Sequence, residues 1–448
     1  MRTSSGTRAR RTALIAVAGL ATCATLITGC SSDSSSDSGK KGSTGTENIT
    51  LHVGDFGSFG YDDKTGAALF SEYHQLHPNI TIVEDNVADG QKYWDALKLH
   101  LSQGSGLADV QAIEVGFIAE ATATLGDRFV DLGKATGVDT TKWLDWKEKQ
   151  ATTKSGQVIG LGTDVGPMAV CYRKDLFQKA GLPTDREAVA ALWAGDWAKY
   201  IAVGQQFKAK APAGVSFTDS ASGVFNAVVS SQAQQYSDDQ GKLIYDTSPG
   251  VKKAWDLAVE SAQQGLSAKL RQFDDKGTWN AAFKNSTFAT IACPSWMTGI
   301  IKEQAGPANT AKWDIAAAPE SGNWGGAFLS VPKAGKHTAE ATALAAWLTA
   351  PEQQAKVFAK NGNIPSTKAG LDSPTVTDAT NPYFGTAPIG KVYTAIAKGV
   401  TPAPIGRYDG QVKTYITDNG LLDIEQHGTS KDKAWSTVQA LVKDKIDQ

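Results

Sequence analysis

The strongest constraint on the fold lies just after residue 47. From Asn48, ITLHVGDFG alternates apolar and polar residues and then breaks into glycines, which predicts a strand followed by a loop. TGAALFSEYHQLHP comes next, with Leu69, Phe70, Tyr73 and Leu76 on one helical face, and NITIVEDNV reads as a second strand. Strand, helix and strand joined by a short turn form a βαβ unit, so a parallel sheet is expected. YWDALKLHLSQG continues as an amphipathic helix, and ADVQAIEVG as a buried strand with a polar end. At 448 residues the chain is too long for one simple core, and about two domains are expected.

Beyond Leu182 the pattern becomes longer-helical. AVAALWAGDWAKYIAVGQQF, SGVFNAVVSSQAQQY and PGVKKAWDLAVESAQQG all read as helical, the last with Pro near its start and Gly at its end. Strands return at ATIACP, KWDIAAAP and GGAFLSVPK; a helix pair split by Pro351 and a C-terminal helix complete the chain. No short-period repeat is present, which excludes a solenoid. Within ATIACPSWMTGI, Pro294 should end strand pairing, yet Trp296 follows two residues later. Such a tryptophan either fills the core or offers a flat surface to a ligand.

Twelve tryptophans are many for this length, and a carbohydrate or aromatic ligand would explain the excess. Net charge is −2; the first 30 residues carry four arginines and no acid, and without them 40 basic residues face 46 acidic ones. With no basic stripe or tail, nucleic acid is not an expected partner. The six histidines show no ligand spacing, no metal motif is present, and no cofactor is expected.

The N-terminus reads as an export signal: arginines precede the apolar run ALIAVAGLATCATLI, which is short for a membrane span. It ends in Ile27-Thr28-Gly29-Cys30, which resembles the lipobox of bacterial lipoproteins. That resemblance implies cleavage before Cys30 and a lipid on its sulfur; the alternative is a secreted protein with a chance cysteine. SSDSSSDSGKKGSTGTE then reads as a flexible tether. Cys171 and Cys293 remain, both in apolar strand-like runs, where they form either a disulfide or two buried thiols.

Four stretches carry a wider resemblance: FSEYHQLHPNITIVE, KSGQVIGLGTDVGPMAVCYRKDLFQKAGL, FKNSTFATIACPSWM, and GGAFLSVPKAGKHTAEATALAAWLTAPEQQAKVF followed by NGNIPSTK. In this order they resemble the extracellular solute-binding proteins (family 1) of carbohydrate ABC importers, the maltodextrin-binding-protein superfamily. GSGLADVQAIEV, GLGTDVGP and ACPSWM look similar to actinobacterial lipoproteins that bind cellobiose and other cello-oligosaccharides. The resemblance implies a two-lobed α/β fold of the periplasmic-binding-protein-like II type, with hinged lobes and a ligand cleft at the carboxyl ends of the strands. It places a signal peptide at 1–29, a lipidated tether at 30–47, one lobe at 48–163 plus 327–370, and the other at 164–326 plus 371–448. Crossings are expected near 162–167, near 324–328 and after Pro365.

A sugar offers apolar C–H faces and a rim of hydroxyls, so its site needs flat aromatics and carboxylates, amides or arginine. Trp296 is the foremost candidate, since the family commonly has an aromatic at this strand end; core packing is the alternative. Trp324, between glycines at an expected crossing, is second, with loop packing as its alternative. Phe56 and Phe59 lie on the loop after the first strand, where two exposed aromatics call for a partner. Glu114 ends a buried strand and Asp164 lies in the first crossing; each is a ligand acceptor, a local cap or an ion-pair member. Asp219 and Ser222 precede or open a helix, and Asp219 could be its N-cap. Arg407 and Asp409 sit in a Gly/Pro-rich loop, as cleft contacts or a surface pair. Trp193, Trp197, Trp255, Trp347 and Trp435 read as structural, and Trp279 is undecided.

The expected role is therefore non-enzymatic: a monomeric, lipid-anchored receptor on the extracellular face of the cell membrane. It would capture an oligosaccharide, cellobiose or cellotriose foremost, and deliver it to ABC permease subunits. The alternatives are the same role for a xylo-, chito- or malto-oligosaccharide, and an exported glycoside hydrolase. The latter needs two cleft carboxylates, one with a raised pKa, and no motif marks such a pair.

Overall fold

The computed structural model describes residues 47–274 and 276–446. The expected signal peptide, Cys30 and nearly all of the tether lie outside the described residues. The βαβ unit forms as its pattern demands: β1 (Ile49–Phe56) and β2 (Ile80–Val87) pair in parallel with Ile49 opposite Ile80, across the helix Leu69–Leu76. Leu51 and Val53 of β1 are sealed on one face, packed with Leu69, Phe70 and Tyr73 of that helix. The helix Gly90–Gln103 then leads to β3 (Val110–Glu114), which joins the other edge of β1, again in parallel. Asp89 caps that helix by accepting from the backbone N–H groups of Gln91 and Lys92.

The sheet is not wholly parallel, however. Its order is β2-β1-β3-β10-β4, and β10 (Ala327–Ser330) runs antiparallel to both β3 and β4 (Leu161–Gly162). β10 enters the sheet after a long excursion through a second one, so no βαβ crossover fixes its direction. That second sheet has the order β7-β8-β6-β9, from β6 (Met168–Arg173), β7 (Ser216–Thr218), β8 (Phe288–Pro294) and β9 (Trp313–Ala317). β6 pairs antiparallel with both β8 and β9, and β7 runs parallel to β8. Pro294, opposite Met168, is the last residue of β8, as its missing N–H requires. A third, two-stranded sheet joins β5 (Asp164–Val165) to β11 (Ile364–Pro365), between β4 of one large sheet and β6 of the other.

Each large sheet has its own apolar packing, so the molecule is a two-lobed α/β structure. Helices around the second sheet bury Trp193, Trp197 and Trp255, in keeping with the structural reading of these residues. Trp347 and Trp435 are partly buried and pack against core clusters. Cys171 and Cys293 are bonded to each other across β6 and β8, with their Cα atoms 5.3 Å apart. Both cysteines are fully buried.

Candidate functional site

A cavity of about 590 Å³, within the usual size range of ligand pockets, is lined by Phe56, Glu114 and Ala327 from strands of the first large sheet and by Trp296, just beyond β8 of the second. From the second sheet comes Trp296, carried past the end of β8 by Pro294 and Ser295. Its ring meets that of Trp324 edge to face, with centroids 5.6 Å apart and planes at 75°. The Trp296 indole N–H donates to the Trp324 carbonyl at 3.1 Å. Both rings are partly buried and both line the cavity.

Glycine makes this arrangement possible. The Trp324 backbone N–H donates to the Gly166 carbonyl at 2.7 Å, and a Cβ on Gly166 would lie 1.8 Å from the Trp324 carbonyl oxygen. Gly325 follows at φ +95°, outside the range that most residues adopt. The sequence GNWGG thus permits a tryptophan at a crossing where backbones touch.

Phe273, which sequence reasoning missed, extends the aromatic wall. It is 39% exposed, adopts φ +57°, and has its ring centroid 6.2 Å from Trp296 and 4.7 Å from Trp279. Across the cavity, Phe56 at the end of β1 is partly buried and lines the wall. The expected exposure of Phe59 is corrected: it is 8% exposed, set edge to face on Phe56 at 5.2 Å and packed into the core beside Tyr61. The two phenylalanines supply each other's apolar partner, which Gly57 at φ +61° allows by folding the loop back.

Two predicted carboxylates also reach the cavity wall. Glu114 accepts from the Gly116 backbone N–H at 2.9 Å, capping the helix Val115–Glu120, and lies 3.7 Å from the Lys413 ammonium. Asp164 accepts from the Thr163 hydroxyl at 2.7 Å and the Ala327 backbone N–H at 3.0 Å. Burial raises the Asp164 pKa, and the nearby Lys147 ammonium opposes that rise.

Lys147 itself is unmarked in the sequence, one lysine in an ordinary charged run. It is fully buried, its Nζ has no hydrogen-bond partner, and it stands 3.8 Å from the centre of the Phe328 ring. Burial pushes its pKa down to about 8 despite the attraction of Asp164 and Glu114. Arg271 and Asp418, also missed, form an ion pair at 2.9 Å in the cavity wall, with Asp89 at 3.8 Å from the same guanidinium. Thr414 donates to the Gln91 side chain at 3.1 Å beside them.

Ser222 lines the cavity, but its hydroxyl donates to the Thr417 carbonyl at 3.2 Å. Asp219 lies behind the wall, fully buried, which corrects both readings of it. Its Oδ2 accepts from the Trp279 indole at 2.9 Å and from Gln272 at 2.8 Å, while Ser220 caps the helix Ala221–Ser230. Trp279, 1% exposed, is thereby structural. Arg407 is exposed, stacked at 4.3 Å on the ring of Tyr408, and lines neither this cavity nor its neighbour. Asp409 is buried and accepts from Ser237 at 2.6 Å and the Gly406 backbone at 2.8 Å; it lines a second, smaller cavity. The pair is thus neither a surface pair nor a contact of the main cavity. Among the described residues, no group of three or more His, Cys, Asp and Glu side chains could hold a metal ion, and no helix is long and apolar enough to cross a membrane.

Two α/β lobes facing each other across an aromatic-walled cleft define a binding protein rather than a scaffold. Residues 68–385 match the model of the bacterial extracellular solute-binding proteins, and the chain belongs to that family. A crystal structure of an extracellular solute-binding protein of family 1 is 41% identical, with 88% of this chain and 98% of that one covered, at a TM-score of 0.73. The binding protein of B. animalis subsp. lactis Bl-04 in complex with β-1,6-galactobiose aligns at 19% identity over 88% and 97% of the two chains, at a TM-score of 0.74, and shows the same fold. The lactose-binding protein of Rhizobium radiobacter is 24% identical over 60% of this chain. The matched segment spans 54% of that relative's own length.

Proposed function

We propose that this protein is the extracellular, lipid-anchored substrate-binding component of an ABC importer, and that it captures cellobiose or cellotriose without chemical change. The observation that carries the reading is the Trp296–Trp324 pair: two indoles held edge to face and partly buried, in a cavity that Glu114 and Asp164 also line. Indole faces suit the C–H faces of pyranose rings. Glu114, Asp164 and the Arg271–Asp418 pair suit their hydroxyls, because a buried hydroxyl left unpaired costs about 1–3 kcal/mol. Trp296, Trp324 and Phe56 are the ring-facing contacts in this reading, with Phe59 backing Phe56 and Ser222 on the rim. The lobes, 48–163 plus 327–370 and 164–326 plus 371–448, close by hinge motion at the crossings near 162–167 and 324–328. The closed form is what the permease receives.

A galactose-containing disaccharide is a second reading, favoured by the lactose-binding relative. Calorimetric titration with cellobiose, cellotriose, xylobiose, chitobiose, maltose and lactose separates these ligands. Micromolar or tighter binding of a cello-oligosaccharide is expected, with no hydrolysis products after prolonged incubation. Binding of xylobiose or lactose with none of cellobiose would replace the ligand, and released products would remove the receptor reading. For the anchor, Cys30→Ser should move the protein from the membrane fraction to the medium; unchanged membrane retention would refute a lipid on that sulfur.

A further inference from the structure

Lys147 lies behind the cavity rather than in it. It projects from the helix Asp145–Gln150, is fully buried, and its Nζ has no hydrogen-bond partner. A lysine is almost never sealed in this way unless an opposite charge offsets the lost water. Glycines on both sides make room for it: a Cβ on Gly162 would lie 2.8 Å from Lys147 Cγ, and one on Gly326 would lie 2.8 Å from Nζ. Gly326 itself lines the cavity, so the ammonium stands one residue behind the wall, under the ring of Phe328.

The same stretch of backbone holds Asp164. The Ala327 N–H and the Thr163 hydroxyl both donate to its Oδ1, and Oδ2 takes part in neither bond. Asp164 is 6% exposed and lines the cavity. The charges that act on Lys147 are those of Asp164 and Glu114; Lys147 and Glu114 act on Asp164, which in turn acts on the Tyr61 phenol. Glu114 has a further cation in Lys413 at 3.7 Å. On the helix Val115–Glu120, packed against that of Lys147, Glu120 is engaged by the Trp94 indole and Lys98. Asp145, at the start of the Lys147 helix, pairs with Lys368. Burial disfavours the charged form of both Lys147 and Asp164, and each charge favours the other.

We propose that Lys147 is a positioning residue for the sugar site: it touches no ligand, and its charge keeps Asp164 a carboxylate that accepts from a ligand hydroxyl. Without this counter-charge the buried acid takes up a proton and loses acceptor capacity. This rests on the reading of the main cavity as a sugar site.

Two measurements on the full chain test it together. The carboxyl ¹³C resonance of Asp164, assigned with Asp164→Asn, is followed against pH without ligand. Affinities for cellobiose, cellotriose, xylobiose, chitobiose, maltose and lactose are measured by calorimetry over the same pH range. Lys147→Met should raise the Asp164 midpoint by about one pH unit or more, and the acid-side loss of affinity should move with it, a fall of about tenfold below the midpoint. Lys147→Gln, read the same way, guards against a folding defect in the first variant. Asp164→Asn should show no such acid-side loss, and adding Lys147→Met should not restore it. A change of packing alone would move the melting temperature and leave both midpoints in place. If the Asp164 midpoint is unmoved in both variants, or moves without the affinity following, the proposal is overturned and the sugar reading stands. If the wild type binds no member of the panel, the sugar reading fails and the proposal with it.

Discussion

Two tryptophan constellations, linked through the ring of Phe273, behave differently. Trp279 and Asp219 are both sealed; the indole N–H donates to the carboxylate, Gln272 takes a share, and neither residue reaches the cavity. Trp296 and Trp324 line the cavity, joined to each other by one hydrogen bond from indole to backbone carbonyl. The first pair is complete in itself. Residue type therefore says little about whether a tryptophan binds; what matters is whether its polar edge and its ring faces already have partners.

The sharpest break of this comparison is Trp279→Ala. It removes a buried indole and one of the donors to the Asp219 carboxylate, leaving Gln272. Stability should fall by about 3–5 kcal/mol in denaturant unfolding, as for other large core truncations. Trp296→Ala should reverse the pattern: sugar affinity falls at least ~30-fold, an effect of about 2 kcal/mol typical of a binding hot spot, while stability changes by about 1 kcal/mol. A larger stability loss at Trp296 than at Trp279 would invert the assignment.

The layer behind the wall should also announce itself through pH. Glu425 accepts from the Ala221 backbone N–H at 2.9 Å and from Ser267, has one oxygen unpaired, and is pushed up to about 7, mainly by burial. Its ordinary value is 4.5. The folded chain thus holds more protons than the unfolded one between these values, and stability from this residue falls as pH rises from about 4.5 to about 7. Glu425→Gln should flatten that slope in thermal melts, by an amount on the order of 1 kcal/mol after relaxation. Retention of the full slope would move its origin elsewhere. The smallest effect belongs to Arg407→Ala, which should leave sugar affinity within about twofold in titration, because the guanidinium lies outside both cavities.

Much of the architecture was legible from local pattern. Alternation marks β1 and β2, helical spacing marks Leu69–Leu76, and Pro294 marks the end of β8. These signals are local, and local sterics and burial enforce them. The antiparallel entry of β10 was not legible, since it depends on where a distant crossing returns. The cavity-lining places of Trp296 and Trp324 were legible because proline and glycine leave a record of unusual backbone. Asp219 was misread because its partner lies 60 residues away and nothing near it names an indole. Lys147 and Phe273 were missed for the same kind of reason: burial of a lone ammonium and a positive φ at phenylalanine are imposed by tertiary packing.

Indole N–H resonances offer the most direct measurement. With the tryptophans labelled with ¹⁵N and assigned by substitution, the chain is titrated with cellobiose, cellotriose and the other oligosaccharides of the panel. The Trp296 and Trp324 signals should shift in step with binding while Trp279, Trp193 and Trp197 stay in place. Saturable binding that leaves the Trp296 and Trp324 signals unmoved would contradict the assignment of the sugar site to these two indoles.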